Sequence, residues 1–380
     1  MKFSTDIIPE HHEDLANAWT IPSRFYTDES IFEKEVEAFF VNSWVCVAHV
    51  SEASSKNSFI RREMFGESLV VVRGRDSVLR GFYNVCPHRG HQLISEESGK
   101  TKNVITCPYH AWAFKLDGEL VHATNCENVN KFEKDVLGLS AFHVVEYAGF
   151  IFINLSKEEP NPIEEQLPGL EETVLKHMPR VHELKRAARF VSKTPANWKS
   201  IVDNYIECYH CPTNHVSFAS SVDVTRYTQE FNPNWTLQIG HAVSSEQSFK
   251  FNEGTIDPKF LGYWLWPCTM FNMPPGGDFM TVIYEFPISA NETLQFYEIY
   301  FFNEVLTDEQ KKLVDWYENT FRPEDLRLVE SVQKDLKSRG YRGQGRIMTC
   351  SEGSGITEEG LAYFHKTLAN RYLEEGGFND

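Results

Sequence analysis

Two groups of residues in this 380-residue chain have the types and spacing of metal ligands. The first is Cys86-Pro87-His88 with Cys107-Pro108-Tyr109-His110. Each half is a short loop, stiffened by proline, that offers one thiol and one imidazole. Two thiolates on one iron and two imidazoles on the other are the ligand set of a Rieske [2Fe-2S] cluster. Replacing thiolate by neutral imidazole raises the potential of such a cluster, so it accepts an electron readily. A structural zinc site is the competing reading, but zinc sites more often pair Cys with Cys and His with His. His91 and His122 read as surface groups or as neighbours of the ligands.

The second group is the run Asp203 to His215, DNYIECYHCPTNH. His210 and His215 supply two imidazoles, and a carboxylate from elsewhere would complete the facial triad of non-haem Fe(II) oxygenases. Such a triad leaves coordination positions free for O2 and water. The expected third ligand is Asp325, in Arg322-Pro323-Glu324-Asp325-Leu326. Glu324 is the alternative, pointing about 100° away round the helix. Acids gather at helix N-termini for dipole reasons alone, so it is the two histidines that argue for a ligand here. Cys208 and Cys211 permit a second zinc reading, weakened by the lack of another Cys pair nearby.

These side chains need elements to position them. Residues 28–43 read as a helix, with Ile31, Phe32, Val36, Phe39 and Phe40 on one face. After Trp44 the pattern changes to short strands at 58–62, 68–73, 78–83 and 150–155, with Gly74-Arg75-Asp76 as a hairpin turn. Thr194-Pro195 should open a helix reaching about His210. Asp203, Glu207 and His210 would then share one face, and Pro212 would end the helix so that His215 turns back beside His210. Residues 263–273 and 279–286 flank Pro274-Pro275-Gly276-Gly277 as a hairpin. Thr307-x-x-Gln310 is a capping box for a helix to Asn319, and Pro323 opens another through Leu336. The expected fold is α+β. A helical segment, 1–43, packs on the catalytic domain; an all-β domain spans 44–156; and 160–380 is an α+β domain with an antiparallel sheet.

Composition narrows the partners. With 37 Lys+Arg against 54 Asp+Glu the formal net charge is −17, which disfavours nucleic acid and anionic membrane alike. No apolar run approaches a membrane span, and the first residues lack a signal-peptide core, so a soluble cytoplasmic protein is expected. In a reducing compartment the eight cysteines should be metal ligands or core residues rather than disulfides. Cys46, Cys126, Cys268 and Cys350, with no histidine beside them, read as core or incidental.

In this order, the two motifs make the chain resemble the Rieske non-haem iron oxygenases. The matching stretches are 82–91, 103–110, 194–199, 202–211, 321–333 and 341–348. Within that family it is most similar to the short oxygenases that act on quaternary ammonium compounds, above all those that cleave carnitine. The resemblance implies an N-terminal all-β Rieske domain and a catalytic domain whose mononuclear Fe(II) is held by His210, His215 and Asp325. It implies a monooxygenase that uses O2 as cosubstrate and takes electrons from NADH through a flavin/iron–sulfur reductase. It implies a head-to-tail homotrimer in which a carboxylate joins a cluster histidine of one subunit to an iron histidine of the next. Glu207 corresponds to that bridge, with Asp203 as the competing assignment.

The implied reaction is hydroxylation of a carbon next to the quaternary nitrogen of carnitine or γ-butyrobetaine. The C–N bond then breaks to give trimethylamine and a semialdehyde, malic semialdehyde from carnitine. The alternatives are N-demethylation of glycine betaine or a proline betaine with release of formaldehyde, and, more remotely, a zinc-binding protein without catalysis. A trimethylammonium group is best held over aromatic faces. Tyr205 and Trp235 are the first candidates for that role, with Tyr227, Trp264, Trp266 and Phe271 behind them, each of which could equally be core. The loop between the iron histidines departs from the family's Cys-Gly-Pro-Ala-His-Pro, reading Cys211-Pro212-Thr213-Asn214-His215-Val216 with the ligand spacing kept. The Arg339–Arg346 run has no phosphate-loop pattern and reads as a structural or intersubunit loop.

Overall fold

The computed structural model describes residues 17–243, 259–276, 278–350 and 354–374. The first sixteen residues of the expected N-terminal helical segment, and Gly277 of the expected hairpin turn, lie outside these. The chain forms two compact units: Phe39–Glu165, and the flanking stretches through Ala38 and from Gln166 onward. No described helix is long and apolar enough to cross a membrane.

The Phe39–Glu165 unit is built on strands. These are β1 (Val45–His49), β2 (Ser58–Met64), β3 (Glu67–Arg73), β4 (Leu79–Tyr83), β5 (Ser98–Lys100), β6 (Val104–Thr106), β7 (Ala113–Lys115), β8 (Leu120–His122), β9 (Ala141–Tyr147) and β10 (Phe150–Asn154). Seven pair in the order β1-β10-β9-β4-β3-β2-β5, and β6-β7-β8 make a small separate sheet. The small sheet matters most for function. Phe114, Ile105 and Leu120 from it pack with Phe59, Val70 and Phe82, and Cys86 and Cys107 belong to the same core. Both thiols are therefore anchored in apolar packing.

The second unit holds one antiparallel sheet of β11 (Lys185–Thr194), β12 (Val222–Asn232), β13 (Trp235–Ala242), β14 (Lys259–Leu265), β15 (Thr269–Met273), β16 (Phe279–Ser289) and β17 (Glu292–Phe301). Its order is β11-β17-β16-β15-β14-β13-β12. The expected strand at 263–273 is thus part of a hairpin in its own right, β14 with β15, followed by the expected β15–β16 hairpin.

Three helical expectations are corrected. The helix over 28–43 is α-helical only at Glu29–Glu35 and continues as a π-helical turn, Val36–Val41. Strand β11 runs through Thr194, so Pro195 does not open the next helix; Asn197 caps Trp198–Tyr205 by accepting the Lys199 N–H. That helix stops five residues short of His210, because its last carbonyls are captured from the sheet. Gln238 Nε2 donates to Tyr205 O at 3.0 Å and Gln229 Nε2 to Ile206 O at 2.9 Å, which satisfies groups a helix end leaves bare. Gly360 is needed for this arrangement, since a Cβ there would stand 2.0 Å from Ile206 O. Finally, the capping box at Thr307 forms as expected, but the helix it starts does not end before Pro323. It passes through a π-helical turn, Tyr317–Phe321, directly into Arg322–Asp335.

Candidate metal centres and ligand cavity

The two Cys/His loops share one backbone design. Cys86 N–H bonds to His91 O at 2.8 Å and Gly90 N–H to Cys86 O at 2.9 Å; Cys107 N–H bonds to Trp112 O at 2.8 Å and Ala111 N–H to Cys107 O at 3.0 Å. Both Gly90 and Ala111 have positive φ, +71° and +59°, which turns each loop back on itself. The thiols are buried, each 2% exposed, while the His88 and His110 rings stand nearer the surface with centroids 4.7 Å apart. Trp112 stacks on His88 at 4.6 Å and 6°. Burial raises the Cys86 thiol pKa, as does the Cys107 thiol beside it, while the N–H groups of His88 and Arg89 favour its thiolate. Paired thiols inside and paired imidazoles outside fit a Rieske cluster.

At the other site Pro212 does not end a helix; it sits in the first turn of a short one, Cys211–Asn214, whose N-cap is His210. Glu207 and His210 therefore lie in a tight turn rather than on a shared helical face with Asp203. Glu207 organises that turn: its carboxylate accepts the N–H groups of Tyr209 and His210 and meets His210 Nδ1 at 2.5 Å. Cys208 and Cys211, expected as metal ligands or core residues rather than as a disulfide, are joined as a disulfide across it. Their sulfurs are consumed by each other, which removes the zinc reading.

His210, His215 and Asp325 present ligand atoms that all lie within 4.8 Å of one another. Asp325 Oδ1 is 2.8 Å from His215 Nε2 and 3.6 Å from His210 Nε2. Burial opposes charge on the rings and on the carboxyl. Hydrogen bonds and charge outweigh it: Asp325 and Glu207 together lift His210 to about 10, and the two rings lower Asp325 to about 2. Such a site favours positive charge, and the donor set of two imidazoles and one carboxylate is that of a ferrous facial triad. Glu324 does not turn toward this point; it faces His215 Nδ1 at 2.8 Å. Asp203 is engaged elsewhere, with Tyr26 and His365.

A cavity opens onto the triad, whose three residues form part of its lining. Its aromatic wall consists of Tyr205, Phe218, Tyr227, Phe260, Tyr297, Tyr317 and Phe321, and its polar groups include Asn204, Gln238 and Asn272. Tyr205 is held by its hydroxyl, which donates to Asn272 Oδ1 at 2.8 Å. Trp235 is not part of this wall: its indole donates to Pro168 O at 2.9 Å and its ring stacks on Tyr263. Trp264, Trp266 and Phe271 are likewise buried away from the lining. Phe218, Phe260, Tyr297, Tyr317 and Phe321 are not among the sequence candidates. The only sequence signal for Phe321 was its place just ahead of the third ligand.

Residues 43–133 match the model of the Rieske [2Fe-2S] domain, and residues 181–374 that of the ring hydroxylating alpha subunit (catalytic domain). The carnitine monooxygenase oxygenase subunit of Escherichia coli is 62% identical over 371 residues, 97% of this chain and 98% of that protein. Crystal structures of a quaternary ammonium Rieske monooxygenase with L-carnitine and with γ-butyrobetaine superpose with TM-scores of 0.88 and 0.87. Both are 55% identical and cover 96% of this chain and 98% of theirs. The glycine betaine monooxygenase oxygenase subunit of Pseudomonas aeruginosa is 33% identical over 52% of this chain and 45% of its own length. With a Rieske domain leading into a ring-hydroxylating catalytic domain, the chain belongs to the Rieske oxygenase family.

Proposed function

We propose that this protein is the oxygenase subunit of a carnitine monooxygenase, which hydroxylates the carbon next to the quaternary nitrogen of carnitine or γ-butyrobetaine. The observation that carries this reading is the cavity, in which a two-histidine, one-carboxylate triad faces a wall of seven aromatic rings. A trimethylammonium group donates no hydrogen bond and is attracted to aromatic faces. The near-complete coverage by the carnitine enzyme, against half coverage by the glycine betaine enzyme, supports carbon-chain oxidation over demethylation.

His210, His215 and Asp325 would hold an iron(II), and Cys86, His88, Cys107 and His110 a Rieske cluster. Together these would supply the electrons and O2 activation for inserting one oxygen atom into a C–H bond. The chain's own residues do the rest. Glu207 holds Nδ1 of His210 so that Nε2 faces Asp325. Tyr205, fixed by Asn272, forms part of the cavity wall. The aromatic wall excludes water and seats the cation. The hydroxylated carbon carries both oxygen and N⁺, so the C–N bond breaks, releasing trimethylamine and an aldehyde. Substrate, O2, two electrons and two protons balance against trimethylamine, the aldehyde, water and the one proton that the new hydroxyl loses as the C–N bond breaks. The same reading calls for a flavin/iron–sulfur reductase fed by NADH, and for a trimer in which Glu207 links the metal sites of neighbouring subunits.

The test is product analysis of iron-replete protein given NADH, O2 and a surrogate reductase, with carnitine, γ-butyrobetaine, glycine betaine and choline offered separately. Trimethylamine from the first two is the expected result. Formaldehyde from glycine betaine, with no trimethylamine from carnitine, would move the enzyme to the demethylases.

A further inference from the structure

His215 is gripped on three sides by one stretch of backbone. Asp325 Oδ1 lies 2.8 Å from its Nε2, and Glu324 Oε2 lies 2.8 Å from its Nδ1. Phe321 stacks on the ring with centroids 4.7 Å apart and planes 27° apart. All three residues fall within the last π-helical residue and first α-helical turn around Arg322. The π-helical turn brings Phe321 to the ring face while the next turn presents two consecutive acids to its two edges. An ordinary helix directs adjacent residues about 100° apart, which is the divergence needed to reach opposite nitrogens of one imidazole. The ring side chain is 4% exposed, so water does not compete for Nδ1.

From this arrangement we infer that Glu324 is a positioning residue for the iron site. It accepts the Nδ1 proton of His215, fixes the tautomer that leaves Nε2 free for the metal, and sets the angle of the ring. The two histidines are then held in matching fashion by carboxylates of different origin. Glu207 holds His210 from within the ligand loop, and Glu324 holds His215 from the helix that supplies the third ligand. The consequence is mechanical as well as electrostatic. A displacement of the Arg322–Asp335 helix would carry Asp325 and the His215 ring together, so these two ligands keep their mutual geometry. Carboxylate partners of metal-bound histidines typically strengthen metal binding by about 10–100-fold.

This inference rests on His210, His215 and Asp325 being the iron ligands, and the experiment separates the two claims. Full-length protein with its cluster intact is stripped of mononuclear iron, and anaerobic Fe(II) affinity is measured for wild type, Glu324→Ala, Glu324→Gln and Asp325→Ala. Glu324→Ala should bind Fe(II) about 10–100-fold more weakly. Glu324→Gln keeps an oxygen acceptor for the Nδ1 proton and should recover most of that loss. The EPR spectrum of the ferrous site with nitric oxide as probe should change in Glu324→Ala, a shift that a merely structural role would not produce. Cluster absorbance should be the same in every variant. Wild-type affinity and spectrum in Glu324→Ala would overturn the positioning role. Complete loss of iron in Glu324→Ala and Glu324→Gln alike would overturn it too, making Glu324 a ligand. Retention of iron by Asp325→Ala would instead overturn the ligand set. If Glu324→Ala fails to fold, Glu324→Leu, which fills the space without an acceptor, replaces it: weakened Fe(II) binding with a changed spectrum supports positioning, and wild-type affinity and spectrum overturn it.

Discussion

Tyr26 donates its hydroxyl hydrogen to Asp203 Oδ2 at 2.7 Å, tying the segment before residue 38 to the helix that leads into the iron ligands. The other carboxylate oxygen is 3.1 Å from His365 Nε2. Because His365 Nδ1 accepts the Ile21 N–H at 2.8 Å, its ring proton sits on Nε2 and points at Asp203. The carboxylate is thus fully used inside the chain. Asp203→Ala leaves a buried phenol and imidazole without their acceptor, a loss of about 1–3 kcal/mol. A fall in Tm of several degrees is expected in a thermal scan, with the mononuclear iron and single-turnover rate largely retained.

Glu207→Ala should behave in the opposite way. In iron-replete protein both metal centres should be present, the mononuclear iron held more weakly, and the cluster reducible by dithionite, while steady-state turnover collapses because the link between the sites is gone. Metal analysis and product assays read this directly. Full turnover would remove Glu207 from the bridging role and reopen the assignment.

Asp325→Ala should lose mononuclear iron and keep the brown colour of the cluster, since the two ligand sets share no residue. Iron stoichiometry against cluster absorbance measures it, and a value unchanged from wild type would point to another acid.

Much of this site could be read from local spacing. The Cys/His loops and the His210–His215 pair are short-range patterns, and Pro323 marked the turn that carries Asp325. What escaped depended on distant chain. The helix from Trp198 ends at Tyr205 because Gln229 and Gln238, on strands β12 and β13, take its carbonyls; nothing in residues 198–210 announces that. Pro212 was read as a stop when it serves as a start, since proline suits a first helical turn as well as the residue after a last one. The cavity wall draws Phe260, Tyr297 and Tyr317 from separate elements, and their convergence is a property of sheet order, which composition does not encode.

The aromatic wall predicts a selective loss of affinity. Tyr227→Leu and Phe260→Leu keep apolar volume but remove a ring face, worth about 0.5–2 kcal/mol toward a cation. That corresponds to a KM for carnitine raised about 2–30-fold, with kcat changed less. The control is an isosteric substrate analogue with a tert-butyl group in place of trimethylammonium, whose binding these substitutions should leave nearly unaltered. Equal losses for both ligands would mean that the rings serve only as packing.

Glu285 makes a prediction in pH. Burial drives its carboxyl up to about 8, against the lowering effects of Gln295 and Arg322. Gln295 Nε2 donates to Oε1 at 2.7 Å, and Oε2 has no partner among the described residues. Between the ordinary carboxyl pKa of about 4.3 and that raised value, the folded chain holds a proton which the unfolded chain has released. The unfolded state therefore binds fewer protons, and stability must fall as pH rises through this window, by up to about 1.4 kcal/mol per pH unit. Glu285→Gln removes the titration while keeping the shape, and its amide can still pair with Gln295. The variant should match wild type near pH 5 and become progressively more stable than it toward pH 8. Tm measured across that range checks the sign: parallel curves for the two proteins would show that Glu285 is already ionised in the fold.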